Sequence, residues 1–215
     1  MNDPRQALAH ARLYLVCDAV PDDFLARAIR GGVDIVQLRM KSAPDEEIAA
    51  AARRFSALCS ASGVVLILND RPDLVGAAGA DGVHVGQDDI PVAEARRLVG
   101  VTRIVGLSTH TPAQIDAAAR EPDVDYIGVG PVHVTPTKPG RPAVGLELVR
   151  YAAAHAATPF FAIGGINSGN AASVQVAGAR RLAVVRALTQ AEDPERAARD
   201  LRAVIEGERS VGSAR

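Results

Sequence analysis

Short apolar runs of strand length alternate with stretches of helical periodicity along the chain, the pattern of repeated strand and helix units around a parallel sheet. Eight such pairs can be counted. The predicted strands are Leu13 to Asp18, Asp34 to Arg39, Val64 to Asn69, Gly82 to Val85, Arg103 to Ser108, Tyr126 to Gly130, Phe160 to Gly164 and Leu182 to Arg186. All are rich in Val, Ile and Leu, as strands covered on both faces require. Between them Ile48, Ala52, Phe55 and Cys59 share one helical stripe, and Ala197, Leu201, Val204 and Ile205 share another. Thr111-Pro112 and Asp193-Pro194 read as a cap followed by proline in the first helical turn, and Gly31, Gly63 and Gly178 fall where helices should stop. Eight units without a break predict one closed α/β structure, a (β/α)8 TIM barrel over residues 13–207. An N-terminal extension, 1–12, precedes it and a disordered tail, 208–215, follows; an open doubly wound sheet is the alternative fold.

Composition narrows what this fold can serve. The chain has 215 residues, of which 48% are hydrophobic, enough for a full core without disulfide staples. With 24 Lys and Arg against 25 Asp and Glu there is no global basic field for a nucleic acid, so an anionic ligand must be met by a local cluster. No apolar run approaches the roughly 20 residues of a membrane span, and the first residues lack a signal pattern, so a cytoplasmic protein acting on small molecules is expected, without membrane partners. Cys17 and Cys59 read as small buried thiols. The aromatic content of 3% offers few anchors for a large interface and leaves the oligomeric state open.

In such a barrel the ligand site lies at the C-terminal ends of the strands. The two-residue strand period puts Gln37, Arg39 and Lys41 on one face and Val36, Leu38 and Met40 on the other, so three polar groups point into the barrel. Buried cations need an anion or carboxylates nearby, which leaves either a ligand site or an internal ion-pair network. Asp70 ends the third strand and Asp89 follows the fourth; neighbouring strands lie roughly 4.8 Å apart, so the two could share one ion. A hard cation held by one or two carboxylates, waters and phosphate oxygens is how Mg²⁺ is commonly bound, and nothing in the chain suits zinc.

The remaining strand ends add hydroxyls, cations and glycines. Strand five closes on Ser108-Thr109-His110, where His110 is either a satisfied structural residue or a base. Gly130 to Pro142 carries four prolines interleaved with Thr135, Thr137 and Lys138, a sequence that cannot form helix and reads either as a lid over a phosphate or as a stiff connector. Gly164-Gly165 after strand seven and Val185-Arg186 at strand eight occupy the usual phosphate position of these barrels.

Together the segments Gln37-Leu-Arg-Met-Lys41, Asn69-Asp70, Gly82-Val-His-Val-Gly-Gln-Asp-Asp89, Ser108-Thr-His110, Thr135-Pro-Thr-Lys138 and Ala162-Ile-Gly-Gly-Ile166 resemble the thiamine phosphate synthase (thiamine-phosphate pyrophosphorylase) family, over about residues 13 to 205. The resemblance implies a (β/α)8 transferase that joins 4-amino-5-hydroxymethyl-2-methylpyrimidine pyrophosphate to 4-methyl-5-(2-hydroxyethyl)thiazole phosphate, or its carboxylated form, with Mg²⁺. Carried over by motif, Gln37, Leu38, Arg39, Met40, Lys41, Asn69, Ser108 and Lys138 would bind the pyrimidine pyrophosphate. Thr135, Pro136, Thr137, Gly165, Val185 and Arg186 would hold the thiazole phosphate, and Asp70 and Asp89 would ligate the metal. Arg39, Lys41 and Lys138 would act catalytically by neutralising the leaving pyrophosphate. The chain departs from the family pattern at Val134, where proline is usual, and at Arg186, where many members carry serine. Arg186 either adds a charged donor to the phosphate or pairs with Glu192 or Asp193 on the surface. The competing readings are a thiazole tautomerase-like barrel enzyme and a non-catalytic sensor of thiamine-related phosphates.

Overall fold

A computed structural model describes residues 3–135 and 142–207. Eight parallel strands close into a barrel in chain order. They are β1 (Leu13–Cys17), β2 (Ile35–Leu38), β3 (Val65–Asn69), β4 (Gly82–Val85), β5 (Ile104–Thr109), β6 (Tyr126–Val129), β7 (Phe160–Ile163) and β8 (Leu182–Val184). Each begins and ends within two residues of its sequence-based expectation. The closed ring, with β1 hydrogen-bonded to β8 in the register Leu13 to Leu182, rules out the open sheet.

Two apolar layers follow from the strand period. Outward-facing Leu13, Leu15, Val36, Leu38, Leu66 and Val83 pack under the helices. Those helices include Asp45–Ala61, whose buried residues are Ile48, Ala51, Ala52, Phe55 and Cys59, as the stripe foretold. The inward layer combines Tyr14, Val16, Ile35, Val65, Ile67, Ile104, Tyr126, Phe161 and Ala183. Capping agrees with the sequence too: Thr111 accepts a hydrogen bond from the backbone of Gln114, and Asp193 accepts from those of Glu195 and Arg196. Cys17 and Cys59 are buried and free, and burial pushes the Cys59 thiol up to about 12.

The extension before β1 has a structure of its own. Asp3 caps a helix at Pro4–His10, and Leu8 from this helix joins the inward layer beneath the barrel. Arg5 ties it down by pairing with Asp125 at 2.7 Å and donating to the carbonyl of Val101. At the other end of the chain, the helix Pro194–Glu206 lies against the helix Asp22–Arg30. Arg27 meets Asp193 at 3.0 Å, Arg30 meets Glu195 at 3.1 Å, and Arg202 reaches Asp34 at 2.7 Å. These pairs clasp the last unit onto the first. The expected tail at 208–215 lies outside the described residues.

Candidate functional site

A cavity of about 350 Å³ opens at the C-terminal ends of the strands. Gln37, Arg39 and Lys41 line one wall, as the alternation in β2 requires. Leu38 and Met40 turn the other way and pack among the outer core residues, so only their backbones are on offer to a ligand.

Asp70 is the electrostatic centre of that wall. Its carboxylate accepts a hydrogen bond from Asn69 Nδ2 at 2.6 Å and lies 3.3 Å from Lys41 Nζ. Burial and the neighbouring Asp89 carboxyl raise its proton affinity, and Lys41 opposes them. Asp89 is itself anchored, because its Oδ2 accepts from the backbone N–H of Gly86 at 2.8 Å. Two carboxylates from adjacent strands are thus held together at a repulsive distance, which a hard cation would relieve. Among the described residues no three His, Cys, Asp or Glu groups converge, so a cation there would complete its shell with water and substrate oxygens. Asp70 holds φ at 60°, the one non-glycine in the left-handed region among the described residues, and backbone strain of this kind clusters at functional sites.

Below this wall lies a polar layer. Gln37 donates to the Tyr14 hydroxyl at 2.6 Å, Tyr14 meets Tyr126 at 2.8 Å, Tyr126 meets His84 Nδ1 at 2.9 Å, and His84 Nε2 meets Ser108 Oγ at 2.9 Å. All five residues are buried and all five line the cavity floor. Glycines at inward positions make room for the rings. A Cβ on Gly106 would lie 2.1 Å from Tyr126 Cζ.

The opposite wall is built from the ends of β7 and β8. Gly165, at φ 64°, passes so close to the β6 loop that a Cβ would lie 2.7 Å from His133 Cβ and 2.9 Å from the Val134 carbonyl. Val185 and Arg186 complete this side, with Thr135 beside them. Asp193 is already engaged by Arg27 and by its own helix N-terminus, so it is not the partner of Arg186. His110 uses its ring nitrogen to bond the Gly130 carbonyl and its backbone N–H to meet Gln114 Oε1, and the residue also lines the cavity. Pro136, Thr137 and Lys138 fall within 136–141, outside the described residues.

The family model described as thiamine monophosphate synthase matches residues 13–188. The chain belongs to the thiamine monophosphate synthase family. A thiamine-phosphate synthase from Thermobifida fusca (strain YX) is 49% identical over 204 residues, covering 92% of this chain and 94% of that protein. One from Thermus thermophilus is 50% identical over 204 residues, with 91% and 98% covered. Among solved structures, a thiamine phosphate pyrophosphorylase from Pyrococcus furiosus superposes with a TM-score of 0.84 at 30% identity, over 96% of this chain and 99% of that one. The 3-hexulose-6-phosphate synthase of Salmonella typhimurium, at 19% identity and a TM-score of 0.69, shares the fold alone. Membership of this synthase family makes the protein an enzyme of the transferase class. No helix among the described residues is long and apolar enough to cross a membrane.

Three members of the site escaped the sequence reading: Tyr14, Tyr126 and His84. Their signal was present in the inward parity that Tyr14 shares with Val16, and His84 with Gly82. A barrel interior is ordinarily filled with branched apolar residues, so mid-strand polar atoms carried no expectation.

Proposed function

We propose that this chain is a Mg²⁺-dependent thiamine phosphate synthase of the cytoplasm, joining the aminopyrimidine pyrophosphate to the thiazole phosphate. The observation that carries the proposal is the division of one cavity into two walls. Arg39, Asp89 and the Lys41–Asp70 pair line one side, and Gly165 and Arg186 line the other. Each wall suits one phosphorylated substrate, and the rings of Tyr14, Tyr126 and Phe161 in the floor between them help to align two rings.

The aminopyrimidine is electron-rich, so its methylene carbon can release pyrophosphate with both electrons of the C–O bond and then accept the lone pair of the thiazole nitrogen. No nucleophilic residue is needed. Arg39, Lys41 and Lys138 stabilise the charge that grows on the departing oxygen, and fixed cations act most strongly where charge develops. Asp70 and Asp89 would hold Mg²⁺, which when bound neutralises pyrophosphate charge. Arg186 and the backbone around Gly165 fix the thiazole phosphate. The site has a place for both halves of a joining reaction, which argues against a mere sensor and against a tautomerase acting on the thiazole alone.

Release of pyrophosphate should require both substrates together with Mg²⁺ and should stop when the metal is chelated. Failure to release it under those conditions overturns the proposal.

Two variants test the roles assigned to Lys138 and Arg186. Lys138→Ala is expected to lower kcat roughly a hundredfold, because the lost contact is made most strongly to developing charge. A rise in KM at unchanged kcat would make Lys138 a uniform binding group. Arg186→Ser should raise KM for the thiazole phosphate roughly tenfold, the worth of one charge-assisted hydrogen bond, and spare the pyrimidine substrate. Steady-state kinetics with each substrate varied in turn reads both effects; an unchanged thiazole phosphate KM would leave only backbone contacts on that wall.

A further inference from the structure

The polar layer in the barrel has a direction. Gln37 presents Nε2, a pure donor, to the Tyr14 oxygen at 2.6 Å. A phenol carries one proton, and among the described residues Tyr126 offers the one acceptor in reach of the Tyr14 hydroxyl, so Tyr14 gives its proton to Tyr126 rather than leave it buried without a partner. By the same count Tyr126 gives its own proton to His84 Nδ1. A neutral imidazole with an acceptor at Nδ1 carries its proton on Nε2, and that proton goes to Ser108 Oγ. Among the described residues Ser108 Oγ meets no second hydrogen-bond partner, and its hydroxyl proton turns toward the cavity that the residue lines. Burial pushes both tyrosines well above their ordinary range, so neither hydroxyl loses its proton near neutrality. The reverse direction would require Gln37 to face Tyr14 with its oxygen.

We propose that Gln37, Tyr14, Tyr126 and His84 form a one-way hydrogen-bond relay that holds Ser108 Oγ as a donor toward the substrate. Ser108 touches the ligand; Tyr14, Tyr126 and His84 are positioning residues that act through it. The relay makes this point of the site favour a substrate acceptor atom, a ring nitrogen or a phosphoryl oxygen, because the Ser108 proton is the group turned toward the cavity. That the atom belongs to the aminopyrimidine pyrophosphate rests on the function proposed above. The direction of the relay does not.

Long-range ¹H–¹⁵N correlation spectra of the labelled wild-type protein without substrate read the tautomer of His84 directly. The expected result is a neutral ring protonated on Nε2 alone. Protonation on Nδ1, or on both nitrogens at neutral pH, overturns the relay. Kinetics supplies the second test. Tyr126→Phe removes the donor to Nδ1, so KM for the pyrimidine pyrophosphate should rise roughly tenfold while that for the thiazole phosphate stays put. Added to Ser108→Ala, the same change should cost nothing further, because the residue through which it acts is gone. Additive losses in the double variant would make Tyr126 a packing residue and overturn the relay. If Tyr126→Phe does not fold, the wild-type spectrum decides alone. An enzyme that releases no pyrophosphate refutes the proposed function and leaves the spectrum still able to confirm or refute the relay.

Discussion

Asp70→Asn is expected to reduce turnover on the order of a thousandfold with the fold intact. The substitution keeps the shape of the side chain, and asparagine is among the few residues that tolerate the left-handed backbone found here at φ 60°. What it removes is the charge. The neighbouring Asp89 would then face a neutral amide, Lys41 would lose its partner at 3.3 Å, and a hard cation would keep one carboxylate of two. Asp89→Asn should fall in the same range, because an amide oxygen can still accept from the Gly86 backbone while ligating more weakly. Circular dichroism checks the fold, and pyrophosphate release at limiting Mg²⁺ reads the effect. Near-normal turnover of either variant under that limit would remove the residue from the ligand set.

The largest expected loss of stability falls at Gly106. Alanine there would put its Cβ 2.1 Å from Tyr126 Cζ and 2.5 Å from the hydroxyl oxygen. The ring cannot retreat, because it is fully buried and meets Tyr14, Phe161 and His84 at centroid distances of 5.9, 5.6 and 5.5 Å. Overpacking of a close-fitted interior commonly costs about 1 to 3 kcal/mol, and a displaced ring that also breaks two hydrogen bonds belongs above that range. Gly76→Ala is the control: it lies in a short helix with no atom within 4 Å of the added carbon. Urea unfolding should place Gly76→Ala at or above the wild-type midpoint and Gly106→Ala far below it. A midpoint for Gly106→Ala close to wild type would mean that the inward layer has slack.

The strands were legible because each is an apolar run bounded by turn residues, and their count and spacing left the closed barrel as the economical arrangement. The first helix was not, because Pro4–His10 is too short to display a period, although Asp3-Pro4 carries the same cap signature as Thr111-Pro112. The walls of the site were legible from residue type at strand ends: Arg39, Lys41, Asp70, Gly165 and Arg186 all reach the cavity. Asp89 does as well, though it stands three residues beyond the loop's first glycine and depends on the Gly86 contact for its place. The floor was not legible, because a mid-strand tyrosine reads as packing. Only the assembled barrel brings Tyr14 to Tyr126, 112 residues away in sequence. Its one sequence trace is the set of small residues Gly82, Gly106 and Gly128 at inward positions of three adjacent strands.

The pairing of β1 with β8, fastened by Arg27, Arg30 and Arg202, also bears on how the chain is made. The first strand finds its second neighbour only when residues 182–184 exist, and the clasp forms only with the helix that ends at Glu206. During synthesis the growing chain therefore carries Leu13 to Cys17 with one side of the strand unpaired until the residues through Glu206 have been made. Its apolar side chains stay open to wrong partners for all of that time. A nascent chain halted before β8 should bind holdase chaperones and yield to protease, and extension through Glu206 should end both together.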